Sequence, residues 1–133
     1  MRVDGFHHLA IQVRSLEKTA EFYRQVLGLT ELARHRRPDG SVRAIWLSVG
    51  GAGGFLALEE VTGEVVAEPF RHQRPGLLLV ALRVAAADRP GVLATLAKHG
   101  VRVEHETAWT IYFMDPEGNR VALSHHPEDA PTG

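Results

Sequence analysis

The stretch Phe6-His7-His8-Leu9-Ala10-Ile11-Gln12-Val13 runs on through Ser15-Leu16-Glu17 and Phe22-Tyr23 to Leu27-Gly28-Leu29, and its periodicity changes halfway along. From His8 to Val13 the period is two. Leu9, Ile11 and Val13 share one side, and His8, Ala10 and Gln12 share the other, as in a half-buried strand. From Leu16 the apolar residues recur at three- and four-residue steps (Leu16, Ala20, Tyr23, Leu27, widened by Phe22 and Val26), which is an amphipathic helix. Ser15 has N-cap chemistry, and Gly28 suits the left-handed position after the last turn. The stretch reads strand, cap, helix, glycine stop.

Working outward, Leu29 to His35 is a strand candidate, and Pro38-Asp39-Gly40 is a turn. Val42 to Val49 alternates, with Ile45, Leu47 and Val49 opposite Ala44, Trp46 and Ser48. Gly50-Gly51-Ala52-Gly53-Gly54 makes a tight hairpin connection to a strand over Phe55 to Glu60. Residues 61–76 lack clean periodicity and read as a linker. The order then repeats. Leu77 to Val84 is a strand, Asp88-Arg89-Pro90 reads as N-cap and early-turn proline, and Val92, Leu93, Leu96 and Ala97 form a helical stripe ended by Gly100. Val101 to His105, Trp109 to Met114 and Arg120 to His125 are strands. Asp115-Pro116-Glu117-Gly118-Asn119 is a turn, and 127–133 reads as a frayed tail.

This is a βαβββ module over 1–60, a linker over 61–76 and a second βαβββ module over 77–126, within 133 residues. Neither half is large enough for a core of its own, so the expected fold is α+β. Two paired modules build a curved, cup-shaped mixed sheet with helices on the outer face. Composition narrows the class. The chain is 44% apolar with net charge −1, so nothing global points to nucleic acid or to a membrane surface. It has no cysteine, and no apolar run approaches membrane length. A cytoplasmic protein is expected.

The opening His7-His8-Leu9-Ala10-Ile11-Gln12-Val13, then Leu16-Glu17-Lys18, Phe22-Tyr23 and Leu27-Gly28-Leu29, resembles the opening of the vicinal oxygen chelate superfamily. That superfamily includes glyoxalase I, methylmalonyl-CoA epimerase, extradiol dioxygenases, and the fosfomycin and bleomycin resistance proteins. The ending from Trp109 through Asp115-Pro116-Glu117-Gly118-Asn119 to Leu123 is similar to the family's closing hairpin. The resemblance covers residues 5–125. It implies a cup-shaped site, often assembled across a homodimer.

It also implies where a divalent metal would be held: on the first and last strands of each module. The first of those positions is His8. Its counterpart in the second module is Leu79, and the last-strand positions are Ala57 and Ala122. Three of the four cannot ligate, and a stable divalent site generally needs three or more protein ligands. No metal and no cofactor are therefore expected. The alternative is a rearranged site holding Fe, Mn, Ni or Zn through His8 with Glu59.

Alternation assigns the cup-facing side chains. They are His8, Ala10 and Gln12; Ala44, Trp46 and Ser48; and Phe55, Ala57 and Glu59. In the second module they are Leu79, Ala81 and Arg83; Thr110, Tyr112 and Met114; and Arg120, Ala122 and Ser124. The expected ligand-binding set is His8, Gln12, Trp46, Phe55, Glu59, Arg83, Tyr112, Met114 and Ser124. Arg83 or Arg120 is available for an anionic group. Trp46 and Tyr112 have a second reading, as packing across a dimer. His125 and His126 are adjacent and point to opposite faces, so they do not chelate together.

Three functions remain open. The favoured one is a bleomycin-resistance-like module that binds a small, partly apolar or aromatic molecule and does no chemistry. The second is a glyoxalase-like lyase or isomerase, or a dioxygenase, using a rearranged metal site. The third is metal-free acid–base catalysis by His8 or Glu59.

Overall fold

The computed structural model describes residues 1–51 and 53–130. The chain divides into two compact units, Met1–Ala67 and Glu68–Gly133. The first contains β1 (His8–Val13), α1 (Leu16–Gln25), β2 (Thr30–Arg36), β3 (Val42–Ser48) and β4 (Phe55–Glu60). The second contains β5 (Val80–Arg83), a 3-10 turn at Ala86–Asp88, α2 (Arg89–Lys98), β6 (His105–Glu106), β7 (Thr110–Met114) and β8 (Arg120–Ser124). Each unit is therefore a βαβββ module with one four-stranded mixed sheet, ordered β1-β4-β3-β2 in the first and β5-β8-β7-β6 in the second. In both, the first strand lies parallel to the last, and the other pairings are antiparallel.

In the first unit α1 packs on β3 and β4. Leu16, Thr19, Ala20 and Tyr23 are buried along its inner stripe. They meet the face of the sheet that carries Val13, Ile45, Leu47, Leu56 and Leu58, all at most 1% exposed. The helix ends as its sequence predicts. The N–H of Leu29 donates to Tyr23 O at 3.0 Å and that of Gly28 to Arg24 O at 3.1 Å, with Gly28 at φ 70°. The bond from Gly28 to Arg24 is the 5→1 bond of an αL closure, whose left-handed position a residue with a Cβ would strain. Ser15 has the extended backbone of an N-cap, but its side chain makes no capping bond. Its carbonyl instead accepts from the backbone N–H of Thr19 at 3.1 Å and from Thr19 Oγ1 at 2.7 Å.

The second unit has its core at Leu96, Ile111, Phe113, Val121 and Leu123, all at most 6% exposed. Several of its boundaries differ from expectation. The first strand begins at Val80, and Leu77 and Leu78 are exposed. The strand expected over Val101 to His105 is only His105–Glu106. Asp88 stands at the N-cap position expected for α2, with Pro90 in the first turn, but it closes the 3-10 turn in helical backbone and makes no capping bond through its side chain. Of the stripe Val92, Leu93, Leu96 and Ala97, only Leu96 is fully buried. The closing turn is as expected. Asp115 is 5% exposed, and its carboxylate accepts from the backbone N–H groups of Glu117 and Asn119 and from Asn119 Nδ2, each at 2.9 Å.

The described part of the tail makes hydrogen bonds back to the second module. Asp129 accepts from Trp109 Nε1 at 3.0 Å, and the N–H of Glu128 donates to His125 O at 2.8 Å. Residues 131–133 and Ala52 of the glycine hairpin lie outside the described residues. No helix among the described residues is long and apolar enough to cross a membrane.

Candidate functional site

In a sheet, residues aligned across neighbouring strands point to the same side. The pairing in the first unit therefore lays out its helix-free face in rows. His8 aligns with Phe55, and Phe55 with Ser48. Ala10 aligns with Ala57, Ala57 with Trp46, and Trp46 with Ala33. Gln12 aligns with Glu59, Glu59 with Ala44, and Ala44 with His35.

The side chains on this face form a chain of rings. His8 stacks on Phe55 with centroids 4.8 Å apart and planes 6° from parallel. Phe55 stacks on Trp46 at 4.5 Å, and Trp46 meets His35 at 4.3 Å. His7 and His8 approach through their Nδ1 atoms at 2.8 Å, so one of the two carries the shared proton. Two polar atoms inside this assembly, His35 Nε2 and Trp46 Nε1, are buried without a hydrogen-bond partner among the described residues. His35 is a site residue that the sequence reading missed. A register shift between Glu31 and Ala33 turns Ala33 and His35 onto this face, and the period-two signal of β2 is broken there.

Of the four positions that the resemblance implies for a divalent ion, three carry no donor side chain. Ala57 and Ala122 are each 1% exposed, and each lies beside a ring, Trp46 and Tyr112 respectively. Leu79, just ahead of β5, is apolar. The register sets the two residues of the expected alternative, His8 and Glu59, apart. His8 aligns with Phe55 and Glu59 with Gln12, which puts the two four residues apart along the strands. That is about 13 Å of strand, too far for two side chains of one chain to meet ligand distances near 2 Å. Glu59 instead accepts from Arg43 Nη1 at 3.2 Å. Among the described residues no group of three His, Cys, Asp or Glu side chains could hold a metal.

The helix-free face of the second unit is built the same way. Arg83 aligns with Ser124 and Ser124 with Thr110, and the two hydroxyls of the latter pair are 2.8 Å apart. Ala81 aligns with Ala122, Ala122 with Tyr112, and Tyr112 with His105. Met114 aligns with Arg120. The Arg120 guanidinium lies 4.3 Å from the Tyr112 ring centroid and 5.4 Å from that of Phe70. A cleft of about 490 Å³ opens here, lined by Phe70, His72, Glu104, His105, Met114 and Arg120. Phe70 and His72 come from the stretch expected to be a linker, and no sequence signal marked them. Met114 and Tyr112 belong to the expected set, while Arg83 and Ser124 lie on another row of the same face.

His125 is 3% exposed and His126 is exposed, so the two do not converge. Arg89 Nη1 donates to His125 Nε2 at 3.1 Å, and since arginine can only donate, Nδ1 carries the proton toward Glu128 O.

A family model described as glyoxalase/bleomycin resistance protein/dioxygenase superfamily matches residues 5–123. A catechol-2,3-dioxygenase of Bacillus subtilis (strain 168) is 31% identical over 117 residues. That match takes in 85% of this chain but 38% of the relative, so the chain spans about two fifths of that protein's length. Among solved structures, the fosfomycin resistance protein FosX of Listeria monocytogenes, determined as a point mutant with Mn(II) and 1S,2S-dihydroxypropylphosphonic acid, superposes with a TM-score of 0.72. It is 18% identical, over 92% of this chain and 93% of that one. FosX of Mesorhizobium loti gives 0.72 at 20% identity over 92% of each chain. An integron cassette protein from the Halifax Harbour sewage metagenome gives 0.69 at 22%, over 92% of this chain and 99% of that one. At these identities the structures establish the shared fold.

Proposed function

The chain belongs to the glyoxalase/bleomycin resistance protein/dioxygenase superfamily, and we propose that it is a binding member, one that holds a small, partly apolar or aromatic molecule without a divalent ion. The observation that carries this reading is the chemistry of the four positions His8, Ala57, Leu79 and Ala122. One can ligate, two are alanines buried beside rings, and one is a leucine. What stands on the helix-free faces instead is aromatic surface with a few polar anchors, the usual lining of a small-molecule site. The residues taken to line it are His8, Gln12, Trp46, Phe55, Glu59, Arg83, Tyr112, Met114 and Ser124. A homodimer and a cytoplasmic setting are part of the proposal, and light scattering tests the first.

The test is elemental mass spectrometry on untagged protein purified without chelator, followed by thermal-shift screening against small aromatic compounds. The expected result is far less than one transition metal per chain, and ligand-induced stabilisation that survives chelator. One metal per chain, lost in His8→Ala, would overturn it.

A second reading is an enzyme of the kind its dioxygenase relative is named for. The retained His8 and the 31% identity favour it. It needs metal donors other than Glu59, because of the separation along the strands. Turnover of a catechol that chelator abolishes would establish it.

A further inference from the structure

The two modules differ at one matched position. Phe55 and Arg120 both open the last strand of their unit, and both sit diagonal to an aromatic residue on the preceding strand, Trp46 and Tyr112. In the first unit a ring stacks on that aromatic at 4.5 Å. In the second a guanidinium does so at 4.3 Å. The first arrangement is apolar packing. The second places a permanent positive charge in a cleft.

We propose that this cleft receives the anionic end of the ligand, and that the ligand is a small aromatic carboxylate. The proposal rests on the binding function above for the claim that a small molecule is held at all. Three observations carry it further. First, among the described residues no hydrogen bond or ion pair engages the Arg120 guanidinium, whereas Arg24, Arg34, Arg37, Arg43 and Arg89 are all paired with carboxylates. Second, the guanidinium carbon lies over the Tyr112 ring at 4.3 Å and over the Phe70 ring at 5.4 Å. Contact with the rings leaves its N–H donors unspent, and their planar fork matches the two oxygens of a carboxylate. Third, Phe70, His72 and Met114 line the same cleft, which gives a flat apolar body a surface beside the charge. Glu104 also lines it but is exposed, so its charge is hydrated while Arg120 is half-buried. Arg83, the other cation of this face, is exposed and has no ring against it among the described residues.

The test is calorimetric titration of the full chain with benzoate, benzamide and acetate. Benzamide keeps the ring and loses the charge, and acetate does the reverse. Benzoate is expected to bind at least about tenfold more tightly than either. Arg120→Met should weaken benzoate by about tenfold or more and leave benzamide within about twofold, since only the charged, bidentate contact is lost. Arg120→Lys keeps the charge without the planar fork and should fall between. It also guards against misreading a folding defect, as does a melting curve for each variant. The proposal is overturned by no benzoate binding, by equal affinity for benzoate and benzamide, or by an unchanged benzoate affinity in Arg120→Met. Repeating the benzoate titration with chelator separates the two readings. Affinity lost to chelator but still dependent on Arg120 would sink the metal-free function and leave the carboxylate receptor standing.

Discussion

The imidazole of His8 lies flat on the ring of Phe55, 4.8 Å between centroids, and Phe55 in turn lies on Trp46 at 4.5 Å. The residue best placed by its position in the family to bind a metal is thus one end of an aromatic stack. Phe55→Leu removes the middle ring. We expect a loss of about 1 kcal/mol, because the ring is only half-buried and leucine keeps part of the apolar contact. Trp46 emission should shift to longer wavelength as water reaches the indole, read in a Trp109→Phe background so that one tryptophan reports. Unchanged emission would show that the stack does not shield Trp46.

Gly54 sets how closely β1 approaches β4. Its φ is +87°, and a Cβ there would overlap the carbonyl oxygen of His7 and lie 3.1 Å from the His7 carbonyl carbon. Both obstacles are backbone, so they cannot swing aside. Gly54→Ala should cost roughly 2 kcal/mol or more in chemical denaturation. Gly51→Ala, also at positive φ but with nothing within 4 Å, should cost about 1 kcal/mol. Equal losses would mean that backbone angle alone matters and that the approach to His7 does not.

Arg34 joins α1 to β2. It pairs with Glu17 and with Glu31, and Glu31 is also 2.8 Å from Arg24. The hydrogen bond from Arg34, more than any other influence, lowers the Glu31 carboxyl below its ordinary value of 4.5. A lowered acid stabilises the fold above its unfolded value and loses that contribution as pH falls through the folded one. Arg34→Met should therefore cost roughly 1 kcal/mol at neutral pH and low salt, and the gap to the parent should close below about pH 4.5. A gap that persists in acid would assign the loss to packing of the arginine stem.

Asp115 holds the turn before β8, and so the placement of Arg120. Asp115→Ala leaves three donors without their acceptor and should cost roughly 2–3 kcal/mol. Asp115→Asn keeps one oxygen for the two backbone N–H groups but sets an amide against Asn119 Nδ2, and should lose less. Urea denaturation distinguishes the two. A loss in Asn as large as in Ala would show that charge, more than geometry, holds the turn.

Local chemistry determined a great deal by itself. The change from period two to period 3.6 after Val13 marked β1 and α1, Gly28 marked the helix end, and alternation assigned His8, Trp46, Phe55, Glu59 and Tyr112 to helix-free faces. Those signals are legible because each strand or helix buries one side whatever its neighbours are. Pairing between distant segments decided the rest. Only the parallel register of β1 on β4 puts His8 beside Phe55 and four residues from Glu59, a separation that alternation alone does not give. Only the bulge in β2 turns His35 toward Trp46, and only the return of 70–72 brings Phe70 to Arg120. A face follows from a residue's own strand, but a neighbour follows from register and loop path, and those are set by the packing of the whole sheet.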